Sequence, residues 1–167
     1  QAKKTSKSYQ NALKRKHTET EKYAKRVEKN KCHQALRCVL VAKGTKKSQQ
    51  CCPPQTPHHL IPASSFAGVA GYDYQAAPCV CAEGADNTSG THGLLHTQTK
   101  RYINKWNKTK RKGTTWKLSD AIDCGASSLS KVFPNAKCDT ECTKAQLKAE
   151  HQKMNIKPNT VITQSSG

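Results

Sequence analysis

The chain has 167 residues, the size of one domain or of one domain with an arm. Only 34% are hydrophobic, and 29 Lys and Arg stand against 11 Asp and Glu, for a net charge of +18. That excess argues against an ordinary metabolic enzyme and makes a polyanion the expected partner, nucleic acid first and an acidic protein or an anionic membrane second. No apolar run approaches the ~20 residues needed to cross a bilayer, so no membrane span is expected.

The chain opens at Gln1 without a Met or a leader and reads as a piece of a longer protein. Residues 5–43 read as helical, because good helix formers dominate and neither Gly nor Pro appears before Gly44. Polar on every face at first, this segment turns apolar enough to dock from Cys32 to Ala42. Residues 51–62 hold Pro53, Pro54, Pro57 and Pro62, which exclude a helix. Residues 66–74, with Gly68 and Gly71, read as a loop or bent strand, and residues 77–82 as a short strand. Residues 83–90 form a turn rich in Gly, Asp, Asn and Ser. A helix then starts near Thr91, capped by Ser89 or Thr91, and runs to about Lys108 with Leu94, Leu95, Tyr102 and Trp106 on its apolar side. Ser119 caps a second helix, residues 138–153 form a third, and the tail from Asn155 is expected to be loosely held. The corresponding division is a basic helical arm (1–50), a core (51–110) and a helical C-terminal part of the same domain (111–167).

Charge is segregated along this order. Residues 1–50 carry 15 Lys and Arg against 3 acids, and residues 100–117 carry 8 against none. Residues 51–99 between them hold no Lys or Arg at all. Flanks of this kind suit phosphates, which position a nucleic acid without reading its sequence. The centre is left for something else.

That centre holds four of the seven histidines: His58, His59, His92 and His96. His92 and His96 are four apart, so one helical face presents both, which makes half of a metal site. A histidine from the extended Pro-rich stretch completes it. Its neighbour then faces the opposite way, as neighbours on an extended chain do, and is free to act as a base. A strand, a hairpin, a turn and a helix bearing these pairs make a metal-dependent phosphodiesterase centre. His17, His33 and His151 read as ordinary.

Thr56-Pro57-His58-His59-Leu60-Ile61-Pro62, then Ala77-Pro78, then Gly90-Thr91-His92-Gly93-Leu94-Leu95-His96 resembles the GHH-signature nuclease toxins of the HNH, or His-Me-finger, superfamily. The resemblance is strongest over residues 51–105, and the usual Gly before the His pair is Pro57 here. It implies an α+β fold, mostly helical around a small ββα-metal core, with a single divalent cation (Mg, Mn, Zn or Ni). It implies that His58, His92 and His96 bind the metal, that His59 is the general base, and that Asn87 is the middle Asn of the motif. The implied activity is a largely sequence-nonspecific DNA endonuclease leaving a 5′-phosphate. Lys100, Arg101 and Lys105, beyond His96 on the same helix, are expected to grip the flanking DNA backbone. The family also implies a secreted antibacterial effector, its toxic C-terminal domain carried by a PAAR-type module of type VI secretion into the cytoplasm of a target bacterium. A cognate immunity protein is implied too, and the charge predicts that it presents an acidic surface.

Nine cysteines leave one over if the rest pair. Cys51 and Cys52 are expected to be tied to Cys79 or Cys81, clamping the hairpin that carries the site. Cys138 and Cys142, one helical turn apart, are candidates for pairing with Cys124 or for a structural metal. A toxin acting in a reducing cytosol should not depend on such bonds. Zinc nucleobase deaminases are set aside, because Pro78-Cys79-Val80-Cys81 has the wrong spacing and no His-x-Glu occurs. The competing reading is a Cys/His structural-metal module that binds nucleic acid without cutting it, which has no need of a base at His59. A polycationic membrane-active fragment lacks the sustained apolar stripe it requires, so no membrane partner is expected.

Overall fold

The computed structural model describes residues 29, 33–34, 36–45, 50–53, 55–84, 86–111 and 113–167. Most of the basic arm, His17 included, and most of the N-terminal helix expected for it lie outside the described residues. Within residues 36–45 the chain turns and then runs extended, where the sequence predicts helix. The reason is tertiary. Val41 lies against the central strand of a sheet, and β-branched residues fit that pleated surface better than a helix.

Three strands, β1 (Val41–Ala42), β2 (Gln55–His59) and β3 (Pro78–Glu83), form an antiparallel sheet in the order β1-β3-β2. Helices α1 (Gly90–Thr109), α2 (Leu118–Val132) and α3 (Thr140–Lys153) follow. The fold is α+β and mostly helical, with the ββα unit β2-β3-α1 at its centre. Pro57 is tolerated in β2 because that strand lies at the edge of the sheet.

Every residue of β3 is buried. Side chains alternate along a strand, so they divide between two layers. Val80 and Ala82 join the main core with Leu60, Phe66, Leu95, Leu118 and Leu129. Cys79 and Cys81 join a small second cluster with Val41 and Cys51. A disulfide crosses that cluster, Cys51–Cys81, one of the pairings the sequence predicts for the hairpin. Cys52 is disulfide-bonded as well, while Cys79, Cys124 and Cys142 are free.

Cys138 pairs with Cys38, and neither with Cys124 nor into a metal site with Cys142. Cys124 is buried on α2, whereas Cys138 meets the segment before β1. Gln146 of α3 holds the same segment, accepting from the Leu40 amide and donating to the Cys38 carbonyl, each at 2.9 Å.

The helix ends differ from expectation in their chemistry. Ser89 does occupy the N-cap of α1, but its hydroxyl donates to Asp86 at 2.9 Å and makes no cap bond. For α2 the cap is Lys117, whose amide donates to Asp120 at 3.0 Å, and Ser119 lies inside the first turn. Asp139 caps α3 by accepting from the Cys142 amide at 2.7 Å. The tail is pinned rather than loose. Ile156 and Ile162 are buried, and backbone bonds tie Ile162 to Trp116 and Thr163 to Ser65, both at 3.0 Å.

Candidate functional site

The pairing of β2 with β3 sets His58 opposite Val80 and His59 opposite Cys79. Opposed residues share a face of the sheet, so His58 points with Val80 toward α1 and His59 points the other way with Cys79. On α1, His92 and His96 sit one turn apart on the side facing β2. The ring centroid of His58 lies 4.5 Å from that of His92 and 4.6 Å from that of His96. One ring nitrogen from each of the three lies within 4.8 Å of the others.

The start of α1 is held against the sheet by glycines. Gly84, at φ 114°, leaves β3 in a conformation other residues avoid. A Cβ at Gly93 would stand 2.8 Å from the Thr88 carbonyl carbon, so only glycine lets the turn fold back on the helix here. The hydrogen bonds of that turn come from Asp86, which accepts from the Thr88 amide at 3.0 Å and the Thr88 hydroxyl at 2.8 Å.

Hydrogen bonds also fix the tautomers. Thr56 donates its hydroxyl to the Gly84 carbonyl at 2.5 Å and lies 3.1 Å from Nδ1 of His92. Its proton is committed, so it accepts from Nδ1–H. Nδ1 of His96 lies 2.5 Å from the Ser166 carbonyl oxygen, which can only accept. In both rings Nε2 keeps its lone pair, the arrangement an outer hydrogen bond gives a metal-binding histidine.

Burial, with the neighbouring imidazoles His92, His96 and His59 adding to it, holds His58 well below the usual histidine range. Burial and His96 bring His92 down to about 4. Both rings are therefore neutral near pH 7, as metal binding requires. Nitrogens around a tetrahedral ion stand about 3.4 Å apart. The three histidines, with one ring nitrogen from each within 4.8 Å of the others, are of the chemistry that holds a divalent ion, and an all-imidazole set suits Zn or Ni well.

His59 is placed differently. Its Nε2 lies 3.2 Å from the Tyr74 carbonyl oxygen, so Nε2 carries the proton and Nδ1 the lone pair. Burial lowers its pKa, the Tyr74 bond opposes that, and the charge of Lys43 lowers it further. His58, His59, His92 and His96 line one cleft of about 500 Å³, with Lys43, Thr56 and Tyr74 among the other walls.

A buried acid ties these elements together. Glu83 accepts from Arg37, from Gln55 Nε2 at 3.2 Å and from the Thr91 hydroxyl beside His92. The Glu83 amide donates to the same Thr91 oxygen at 2.8 Å. Arg37 donates to the Cys81 carbonyl at 3.0 Å and lies over the Phe133 ring. Burial pushes the Glu83 carboxyl up, but Arg37 and Thr91 bring it below the usual range, so it stays ionised.

Other sequence candidates lie elsewhere. Asn87 is exposed on the turn before α1 and does not line the cleft. Lys100 is exposed on α1, outside the cleft walls. Arg101 and Lys105 line a separate groove between α1 and α2, together with Asp120 and Asp123. His151 is buried, stacked on Phe66 and bonded to the Leu147 carbonyl at 2.7 Å, an ordinary core histidine.

The sequence reading passed over Thr56, Glu83, Ser166 and Lys43. Thr56 and Glu83 carried a signal. One lies two residues before His58, and the other is a lone acid ending an apolar strand. Lys43 and Ser166 carried none, because only strand pairing and the path of the tail bring them to the cleft.

Residues 55–151 match the family described as GHH signature containing HNH/Endo VII superfamily nuclease toxin 2. The chain is 34% identical over 170 residues to the DNase toxin Tse7 of Pseudomonas aeruginosa, a match covering 86% of this chain. It spans 42% of that relative's length. No solved structure matches. The family match takes in β2, β3, α1, α2 and nearly all of α3, and with them every histidine of the cleft, and so the chain belongs to the GHH-signature nuclease toxins of the HNH/Endo VII superfamily.

Proposed function

We propose that this chain is the DNA-cleaving domain of a secreted antibacterial toxin, a metal-dependent endonuclease with little sequence preference. The observation that carries the reading is the convergence of His58, His92 and His96 beside His59 at one cleft. The name of the relative, a DNase toxin, favours DNA over RNA.

In this reading His58, His92 and His96 hold one divalent ion. The ion supplies Lewis-acid polarisation of the phosphate and neutralises charge on the leaving oxygen. His59 takes a proton from the attacking water at Nδ1, and the Tyr74 carbonyl keeps the ring in the tautomer that can do so. Thr56 and Ser166 aim the ligand rings. Sequence preference is low in this reading, because the cleft walls among the described residues are the four histidines, Lys43, Tyr74 and small or apolar side chains rather than a set that reads base edges. Asn87, exposed on the turn ahead of α1 and outside the cleft walls, acts on that loop rather than on the reacting atoms.

Residues 51–110 are the catalytic core, residues 111–167 brace it and residues 1–50 form the basic arm. A delivery module on the full-length effector carries the domain into the cytoplasm of a target bacterium. A cognate immunity protein meets it with an acidic surface. Their association should slow as salt rises, and a rate independent of salt would rule out that complementarity.

The test is plasmid cleavage with Mg²⁺, Mn²⁺, Zn²⁺ or Ni²⁺, beside EDTA, His58→Ala and His59→Ala. Nicked and linear products, abolished by EDTA and by each variant, are expected. If the protein binds one metal and shifts the plasmid without cutting it, the structural-metal module takes the place of the enzyme.

A further inference from the structure

The reacting phosphate of a nucleic acid carries a negative charge that needs a cation beside it. Residues 51–99, which build the four-histidine cleft, contain no Lys or Arg. The cations on α1 face elsewhere, Arg101 and Lys105 into their own groove. Among the described residues one cationic side chain lines the cleft, and it is Lys43.

Strand register brings it there. Val41 pairs with Cys79, which pairs with His59, so these three side chains share one face in a row across the sheet. Lys43 lies two residues beyond Val41, and its amide continues the ladder by donating to the Ala77 carbonyl at 3.0 Å. Its side chain therefore emerges on the His59 face. The ammonium stands 5.8 Å from the centre of the Tyr74 ring, and that ring is 4.7 Å from His59. Tyr74, 47% exposed, thus separates Lys43 from the base without closing the cleft.

We propose that Lys43 is a catalytic residue that binds a non-bridging oxygen of the phosphodiester being cut, on the side of the cleft opposite the His58, His92 and His96 cluster. The substrate class is a nucleic-acid phosphodiester, so the inference rests on the nuclease reading above. Lys43 lies outside residues 55–151, so the family match does not include it. An ammonium there neutralises charge that grows on the phosphate as water attacks.

The test compares wild type, Lys43→Ala, Lys43→Arg and Lys148→Ala on two substrates. One is plasmid DNA, and the other is bis(4-nitrophenyl) phosphate, a small diester with no flanking backbone. Metal stoichiometry and thermal midpoint check that each variant is folded and loaded. Lys43→Ala is expected to lose about 10²-fold in kcat/KM on both substrates. Lys43→Arg should recover most of that loss. Lys148→Ala, an exposed cation of α3 away from the cleft, should cleave both substrates as wild type does. If wild type cleaves both substrates and Lys43→Ala matches it on the small diester, Lys43 is not at the reacting phosphate and the inference is overturned. If wild type cleaves neither under any metal, the nuclease reading falls and takes this inference with it.

Discussion

His58 and His59 are neighbours in sequence but stand on opposite sides of one sheet. The His58 side is thick. Val80 and Ala82 lead there into the main core, and α1 brings His92 and His96 against β2. Among the described residues the His59 side is thin. Its apolar support is Val41, Cys51, Cys79 and Cys81, with a disulfide through the middle. His58 is buried at the root of its cluster, with His92 and His96 half-buried beside it, whereas His59, in its proposed role as base, stays half-open to water. The strand's two-residue period provides both environments at adjacent positions.

The sharpest way to separate the two sides is by substitution at the pair itself. His58→Ala should abolish metal binding, read as moles of ion per chain, and reduce cleavage to background, because two remaining imidazoles make half a site. His59→Ala should keep the ion and lose about 10²- to 10⁴-fold in kcat, the range for a lost general base. If His59→Ala also lost the metal, the two sides would not be independent. Retained activity in His59→Ala would remove the base from His59 altogether.

Much of the His58 side was legible in the sequence, and most of the His59 side was not. His-x3-His at helical spacing puts both rings on one face of α1 whatever the rest of the chain does. Pro57-His58-His59 had to be extended, so the two rings had to diverge. Cys51–Cys81 is one of the pairings the sequence leaves open between Cys51 or Cys52, ahead of β2, and Cys79 or Cys81 on β3. By contrast, β1 is two residues long and sits in a helix-forming stretch, so no local pattern shows that Lys43 reaches the cleft. The tail looked loose because its composition is polar. Ile156 and Ile162 pin it through contacts with elements far earlier in the chain, which composition does not report. Lys100, Arg101 and Lys105 were placed on the right helix, but helical spacing alone does not say which groove they line.

A smaller effect tests the thinness of the His59 side. Cys51 and Cys81 close a loop with a sequence separation of 30. Replacing both with Ser should destabilise the fold by about 3–4 kcal/mol on the chain-entropy account. The readout is the denaturant midpoint of each protein, with and without a dithiol reductant. Reduction should lower the midpoint of wild type more than that of the double variant. Cleavage at 25 °C should survive in both, because the main core and the cluster of His58, His92 and His96 lie on the other side of β3. Loss of cleavage on reduction at a temperature where the protein remains folded would show that the base depends on the bond. In that case the domain would lose activity in a reducing cytosol.

The weakest expected effects belong to the cations on neither side of β3. Arg101 and Lys105 line the α1–α2 groove together with the acids Asp120 and Asp123. Lys100 is exposed on the same helix. Each can at most neutralise one phosphate beyond the cleft. Arg101→Ala and Lys105→Ala should each reduce the slope of log affinity against log salt by about 1 and weaken binding to all DNA sequences alike. kcat at saturating DNA should not move, since these groups lie away from the reacting atoms. A fall in kcat for Lys105→Ala would mean that the groove continues into the cleft and that bound DNA crosses α1 to reach His59. An unchanged salt slope would mean that the acids have claimed these cations, leaving the N-terminal basic block as the grip on the backbone.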